Sequence, residues 1–487
     1  LQTAVAGIRS DWQQARAETA ELRRELEEVR GASAHGGAVL TSVTAMAAAS
    51  TADYAGAAQK GVGNVDAGDQ ESDILKNQRK GEHPATLEEE YQLLSGKVDD
   101  QYQTKVESAS KYRLRLSGIV LMNLSSNQGV VDSIDLPTLA YARPAGDSGG
   151  SFGATLRQSE IGLEAFGPNL AGARTSADLQ LDLAGGFPSV PNGINSGLLR
   201  LRTGTIRMDW ANTSVVAGQD GAFFSPNSPT SFASLAIPAL STAGNLWAWA
   251  PQVRVEHRIV LGEDSSLLLQ GGILDPVSGE APGTGSYRQA GPGESSRQPA
   301  YGSRIAWTQN VFGQPLRLGV GGFYSRQDYG YSRTVDAWAG MTDIELPLNR
   351  QFSLTGKLYR GRGLGGLYGA AGRSAVYSGD PTQETTEVRA LNSVGGWAQL
   401  KYRPATILEF NAAFGMDNPY AKDVKYFPYA ANWNTPLSKN QGSFVNMIYR
   451  PRSDLLFSAE YRHLTTYDIT HGGNSAGHLN LMVGVLF

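Results

Sequence analysis

Two groups of charged residues hold the chemistry that can be read in this 487-residue chain. Arg200, Arg202, Arg207, Arg254, Arg258, Arg304 and Arg317 occupy polar positions of successive alternating segments, with Lys357 and Lys401 further along. Glu160, Glu164, Asp178 and Asp182 occupy such positions in two segments before them. On the inner face of a closed sheet these would form a basic wall and an acidic wall, whose field would orient dipolar solutes in water. The excess of base predicts a preference for anions. The competing expectation is that the charges pair with one another and only hydrate a wide lumen.

Other chemistries find little support. The chain has no Cys, which excludes disulfides, thiolate catalysis, zinc–thiolate sites and iron–sulfur clusters. No cofactor and no metal site is expected. His257, between Arg254 and Arg258, falls on the outward face and suits a subunit contact better than a metal. His463, His471 and Ser475 lie near the last connection without a nucleophile–base pair and its orienting partner, so no enzyme is expected. The net charge of -4 gives no reason to expect nucleic acid.

The elements that must position these charges are strands. Apolar and polar residues alternate in "KYRLRLSGIVLMN", from residue 111, and again at 155–166, 174–184, 198–210, 213–219, 252–261, 266–275 and 301–310. The pattern continues at 315–327, 336–348, 351–361, 394–404, 406–416, 442–451, 454–464 and 478–487. Long connections alternate with short ones such as "NR" at 349–350 and "RS" at 452–453. About sixteen antiparallel strands with one tight rim and one looped rim predict an all-β transmembrane barrel over 111–487. Trp210, Trp307, Tyr402, Tyr449 and Phe487 fall at matched lower ends of descending strands and predict an interfacial girdle. In the last strand, Leu479, Leu481, Val483, Val485 and Phe487 share the face expected to meet lipid or a neighbouring subunit, closing the barrel. Leu199 and Leu201 disagree in parity with Ile206, Met208 and Trp210, and a bulge around Thr203–Gly204–Thr205 would reconcile them.

One connection stands apart. Residues 221–251 are apolar and uncharged, so an inward loop over 220–251 is expected, packed rather than waving in water. Phe223, Phe224, Pro226 and Asn227 are its candidates for a constriction facing the arginine wall; the competing expectation is that the loop reaches over a neighbouring subunit.

The first thirty residues step by four and three through Val5, Ile8, Trp12, Leu22, Leu26 and Val29, which predicts a parallel α-helical coiled coil over 1–30. Acidic g positions five before basic e positions (Asp11/Arg16, Glu18/Arg23, Glu25/Arg30) support parallel chains, and Ile8 and Val29 at d favour three or more. An Ala/Gly-rich linker over 31–83 and a helix over 84–110 leading to the barrel follow. No basic, then apolar, leader opens at Leu1, so an export signal is expected to have been removed already.

This coiled coil, the sixteen-strand pattern, the pair "LRTGTIRMDWANTSVVAGQD" before the inward loop and the terminal Phe487 together resemble the trimeric DcaP-like and phosphate-selective porins. The resemblance spans nearly the whole chain in architecture, and in motif this strand pair and the terminus. It implies a homotrimer in the bacterial outer membrane, with the coiled coil in the periplasm and passive diffusion of small anionic solutes, carboxylates or phosphate. It also implies that the barrel assembly machinery reads the last strand. The alternative reading is structural: the N-terminal arm tethers the envelope to the cell wall or a periplasmic protein, and the barrel is narrow or plugged.

Overall fold

The computed structural model describes residues 113–186, 197–280, 288–428, 434, 437–470 and 472–487. The coiled coil of 1–30, the linker of 31–83 and the helix of 84–110 lie outside the described residues, as does His471.

Sixteen antiparallel strands form one ring. They are β1 (Arg113–Gln128), β2 (in two pieces, Gly150–Thr155 and Glu160–Phe166), β3 (Arg174–Asp182), β4 (Arg200–Asp209), β5 (Thr213–Gly221) and β6 (Trp249–Gly262). There follow β7 (Ser265–Leu274), β8 (Ala300–Val311), β9 (Gln314–Asp328), β10 (Thr334–Pro347) and β11 (Phe352–Arg362). The last five are β12 (Asn392–Ala405), β13 (Leu408–Pro419), β14 (Leu437–Arg452), β15 (Leu455–Asp468) and β16 (Gly472–Leu486). Both pieces of β2 pair with β1, and β1 also pairs with β16 from Ile119↔Leu486 to Gln128↔Gly477. The ring is closed and leaves no open edge, the condition a sheet must meet inside lipid.

Side-chain alternation divides the ring into two faces. Along β16, Leu479, Leu481, Val483 and Val485 are 44–49% exposed and point outward, while His478, Asn480 and Met482 are at most 2% exposed and point in. The same outward apolar set continues through Val253 and Val255, Ile305, Leu318 and Val320, Leu358, Val445 and Met447. Such an exterior is unfavourable in water and favourable in hydrocarbon, so the ring is built to span a membrane.

Tight turns form one rim. Between β8 and β9, Phe312 and Gly313 have φ of 57° and 76°, the two positive values of a type I′ hairpin. Aromatic rings gather there: Phe352 stacks on Tyr402 with centroids 4.4 Å apart, Tyr402 on Phe410 at 6.2 Å and Tyr449 on Phe457 at 6.4 Å. Phe487 exchanges two backbone hydrogen bonds with Gly118 (2.9 and 3.0 Å), extending the β1–β16 seam to that rim.

The parity conflict before Trp210 is settled by a bulge, placed slightly earlier than the spacing suggested. Gln180 pairs with Thr203 and Leu181 with Leu201, leaving Arg202 as the extra residue. Arg202 and Thr203 are therefore both buried on the inner side, at 1% and 2% exposure. Arg200 also points inward, to Asp182.

The wall is uneven in height. The second piece of β2 has 7 residues and β3, β4 and β5 have 9, 10 and 9, whereas β14, β15 and β16 have 16, 14 and 15.

Replacing Leu481, outward in the middle of β16, with Arg should destabilise the barrel by about 2–4 kcal/mol. Ser126→Arg, at the looped end of β1, should cost no more than about 1 kcal/mol. Denaturant unfolding in lipid vesicles measures both, and equal costs would contradict the membrane orientation of this face.

Candidate functional site

The interior is the candidate site, and its main occupant is the loop between β5 and β6. Residues 222–248 fold into the lumen and are almost wholly buried. Their lack of charge explains why: an apolar segment gains by leaving water, and the inner wall supplies apolar patches to receive it. Phe223, Phe224 and Leu246 pack with Phe323, Met341 and Tyr359. Phe232 and Leu235, in and just after a 3₁₀ turn at Phe232–Ser234, pack with Ile119, Leu121, Ile448, Leu456 and Met482. Leu240 and Ala243 pack with Trp397, Ala413 and Phe444. Each fully buried Phe or Leu contributes about 1.5–3 kcal/mol.

Glycines on the wall make room for the loop backbone. A Cβ at Gly321 would lie 2.3 Å from the Phe224 carbonyl oxygen, and one at Gly415 would lie 2.3 Å from that of Ala243. On the loop itself, Gly244 has φ +96°, and its Cβ would meet the carbonyl oxygens of Gly396 and Met416 at 2.2 and 2.5 Å. No other residue fits there without displacing the contact.

Polar anchors fix the loop's course. Lys357, 2% exposed on β11, donates from Nζ to Ser225 O (3.1 Å), Ser225 Oγ (2.8 Å), Asn245 Oδ1 (3.0 Å) and Leu246 O (3.0 Å), so it ties the outgoing and returning limbs together. Gln158, in the break of β2, donates to Ala233 O (3.2 Å) and accepts from the amides of Leu235 (2.9 Å) and Ala236 (3.3 Å). Gln399 accepts the Thr230 amide (2.6 Å), Asn446 donates to Thr230 O (2.9 Å) and Arg462 donates to Ser234 Oγ (2.6 Å). With Arg200 reaching Ala236 O at 2.6 Å, the loop is bonded to β4, β11, β12, β14 and β15 and thus crosses the lumen.

The charged residues of the inner wall pair in several local clusters. Arg202 pairs with Glu160, and Arg200 with Asp182 at 2.6 Å. Arg254 bridges Asp220 and Glu256, each at 2.8 Å. Arg304 grips Asp343 through Nε (3.1 Å) and Nη2 (2.7 Å). Arg207 meets Asp209 at 2.7 Å and Glu256 at 3.4 Å, and Arg317 meets Glu345 at 3.1 Å. Glu164 pairs with Arg115 at 2.9 Å, Lys401 lies 3.7 Å from Glu409, and Asp178 stands half-buried on β3. Carboxylates of the same and neighbouring strands are thus interleaved among these arginines. The buried guanidiniums have carboxylates beside them, whereas Lys357 is satisfied by neutral oxygens of the loop.

Burial divides the arginines. Arg202, Arg254 and Arg304 are each 1% exposed and packed within the filled part of the lumen. Arg207, Arg258 and Arg317 lie nearer the tight-turn rim and are only partly buried, with Arg258 inside the fields of Glu256, Arg207 and Arg317.

The proposed constriction residues are placed differently from expectation. Phe223 and Phe224 are 2% and 0% exposed and pack as wall anchors rather than projecting into a passage, although Phe223 does meet the Arg254 guanidinium at 5.7 Å. Pro226 is buried. Asn227 alone of the four is half-exposed, and it donates to Asp343 Oδ1 at 3.3 Å. His257 faces outward and shares a 2.8 Å hydrogen bond with Thr213 of β5. His463 and Ser475 each contact Thr465 Oγ1, at 3.4 and 3.0 Å.

Sequence reasoning missed Gln158, the carboxylates Asp209, Asp220, Glu256, Asp343 and Glu345, and the inward apolar residues Ile119 and Leu121. The carboxylates were visible as polar positions beside arginines on the same or neighbouring strands. Gln158 carried no signal, because its role arises from a break in the strand. Above the looped rim, Tyr329 reaches Glu280 at 3.1 Å, and burial first, then Glu280, holds its hydroxyl well above the ordinary range.

A closed sixteen-strand ring, apolar outside, charged inside and crossed by an infolded loop, is a transmembrane barrel of the outer-membrane type. Its fold is that of the outer membrane channel DcaP of Acinetobacter baumannii, with a TM-score of 0.60 at 17% identity over 79% of this chain and 99% of that one. The anion-selective porin from Comamonas acidovorans matches at a TM-score of 0.46 and 12% identity, over 77% of this chain and 100% of that one. No protein-family model matches the sequence, and no curated protein does.

Replacing Lys357 with Met should remove the donor that joins the two limbs of the loop, at a cost of about 2–3 kcal/mol, and expose the 222–248 segment to protease in the folded barrel. Limited proteolysis with mass mapping checks this. Gly415→Val should push the Ala243 backbone off the wall, at about 1–3 kcal/mol, and single-channel conductance should rise as the loop shifts. Unchanged conductance would mean the loop is not what narrows the lumen.

Proposed function

We propose that the chain is an outer-membrane porin for passive diffusion of small hydrophilic solutes, with anions preferred, and that it acts as a trimer. The observation that carries this reading is the single ring in which lipid-facing and water-facing side chains alternate around a lumen crossed by its own loop. The likeness to the DcaP channel in fold supports it.

Anion preference is assigned to the partly buried Arg207, Arg258 and Arg317 rather than to the buried arginines. The three lie close together near the tight-turn mouth, where water can still reach them and a passing anion can share them with their carboxylates. Buried pairs such as Arg304–Asp343 are already satisfied and act as structure.

Trimer assembly is assigned to the face from β2 to β5. Its second β2 piece has 7 residues and β3 and β5 have 9 each, at or below the length of about 9–11 residues that a tilted strand needs to cross hydrocarbon. Ile161, Leu163, Leu179, Leu201 and Ile206 expose an apolar surface there, which another subunit can cover where lipid fits poorly. A coiled coil at 1–30 would hold three chains in register from the periplasm.

Reconstitution in a planar bilayer tests the proposal. Conductance in three equal steps and a reversal potential favouring chloride across a KCl gradient are expected. A barrel with Arg207, Arg258 and Arg317 replaced by Ala should lose that chloride preference while still conducting. A silent bilayer from folded protein would refute the porin reading.

A further inference from the structure

The outer surface carries charge where apolar residues are expected. On β11 the outward positions run Leu354, Gly356, Leu358, Arg360 and Arg362, so two guanidiniums follow the apolar band directly. Arg360 is exposed and Arg362 half-exposed. Among the described residues, no hydrogen bond, ion pair or ring contact reaches either guanidinium. Arg362 lies directly across from Trp338 on β10, and Trp338 across from Tyr324 on β9. Outward Trp and Tyr mark the level where hydrocarbon gives way to headgroups. The outward carboxylate two residues from Trp338, Asp336, instead accepts the Tyr324 hydroxyl at 2.9 Å.

A pair of exposed arginines at that level needs anions from outside the chain. A second subunit is not the fitting source, because in a ring of sixteen β11 stands opposite β3, on the far side from the short-strand face. We propose that Arg360 and Arg362 bind the phosphate of an anionic lipid of the outer leaflet, clamped beside Trp338. Two guanidinium forks match phosphate oxygens in geometry and charge. Gly340, directly across from Arg360, has nothing within 4 Å of where a Cβ would stand, which leaves space for the headgroup. The same cross-strand row continues through Gly322, Ser303 and Gly271 to an outward depression of about 670 Å³ lined by Val255, Leu269, Ile305 and Val320. An attached acyl chain has room there.

This inference rests on the outer-membrane placement proposed above, and its test is separable from conduction. The purified full chain in detergent is titrated with bis-phosphorylated lipid A, with the same lipid after phosphate removal, and with inorganic phosphate, following the thermal unfolding midpoint. The phosphorylated lipid should raise the midpoint, and the other two probes should not. R360A/R362A should weaken lipid binding by at least about tenfold, the loss of one or two charge-assisted hydrogen bonds. R360K/R362K should retain part of the binding, showing that charge rather than folding is at issue, and both variants should conduct like the wild type. Equal binding by R360A/R362A, an equal effect of the dephosphorylated lipid, or full stabilisation by inorganic phosphate would overturn the proposal. Dissociation of the R360A/R362A oligomer would also overturn it, by assigning the arginines to a second copy of the chain.

Discussion

Everything in this molecule follows from the need to satisfy each backbone amide and carbonyl within a solvent that offers no hydrogen bonds. A sheet meets that need in lipid only by closing, and β1 closes it by pairing with both β2 and β16. Closure at sixteen strands encloses more space than the wall side chains fill. The interior must therefore be furnished by something else. Here a loop without charge is drawn in, bonded by Lys357, Gln158 and Asn446, and seated where wall glycines leave backbone exposed to it.

The charges inside obey the same logic. An arginine covered by the loop is removed from water as surely as one in a soluble core, so Arg202, Arg254 and Arg304 each have carboxylates beside them. Only towards the tight-turn rim, where the loop does not reach, do Arg207, Arg258 and Arg317 keep partial exposure. A mobile ion can exchange with such groups, and it gains little from pairs already sealed.

The ring was legible in the sequence because a period of two survives any uncertainty about where a strand begins. Each of the sixteen segments has its strand, and Leu479, Leu481, Val483 and Val485 face out as their spacing required. The interior was less legible, because partners there are chosen by register and by the course of a loop. The spacing of Arg304 says nothing about Asp343, which is two strands and 39 residues away. The apolar character of Phe223 and Phe224 was read correctly, but which surface would receive them depended on Phe323 and Met341, far along the chain. Polar inward positions were expected everywhere. Ile119 and Leu121 break that rule because they face a loop rather than water.

Phe232 has a position whose effect reaches beyond the lumen. Its cluster contains Ala233 and Leu235 beside it, Ile119 and Leu121 from the first strand and Met482 and Leu486 from the last, so the loop's apolar turn packs where the ring is sealed. The break in β2 adds Gln158 to the same hold, gripping the backbone just beyond that ring. A sheet that closes on itself is weakest where its two chain ends meet, since only that junction can peel apart without breaking a hairpin. In this barrel the junction is riveted from within. Unzipping β1 from β16 would break up an apolar cluster that the loop completes, which couples the resistance of the whole cylinder to the docking of one loop.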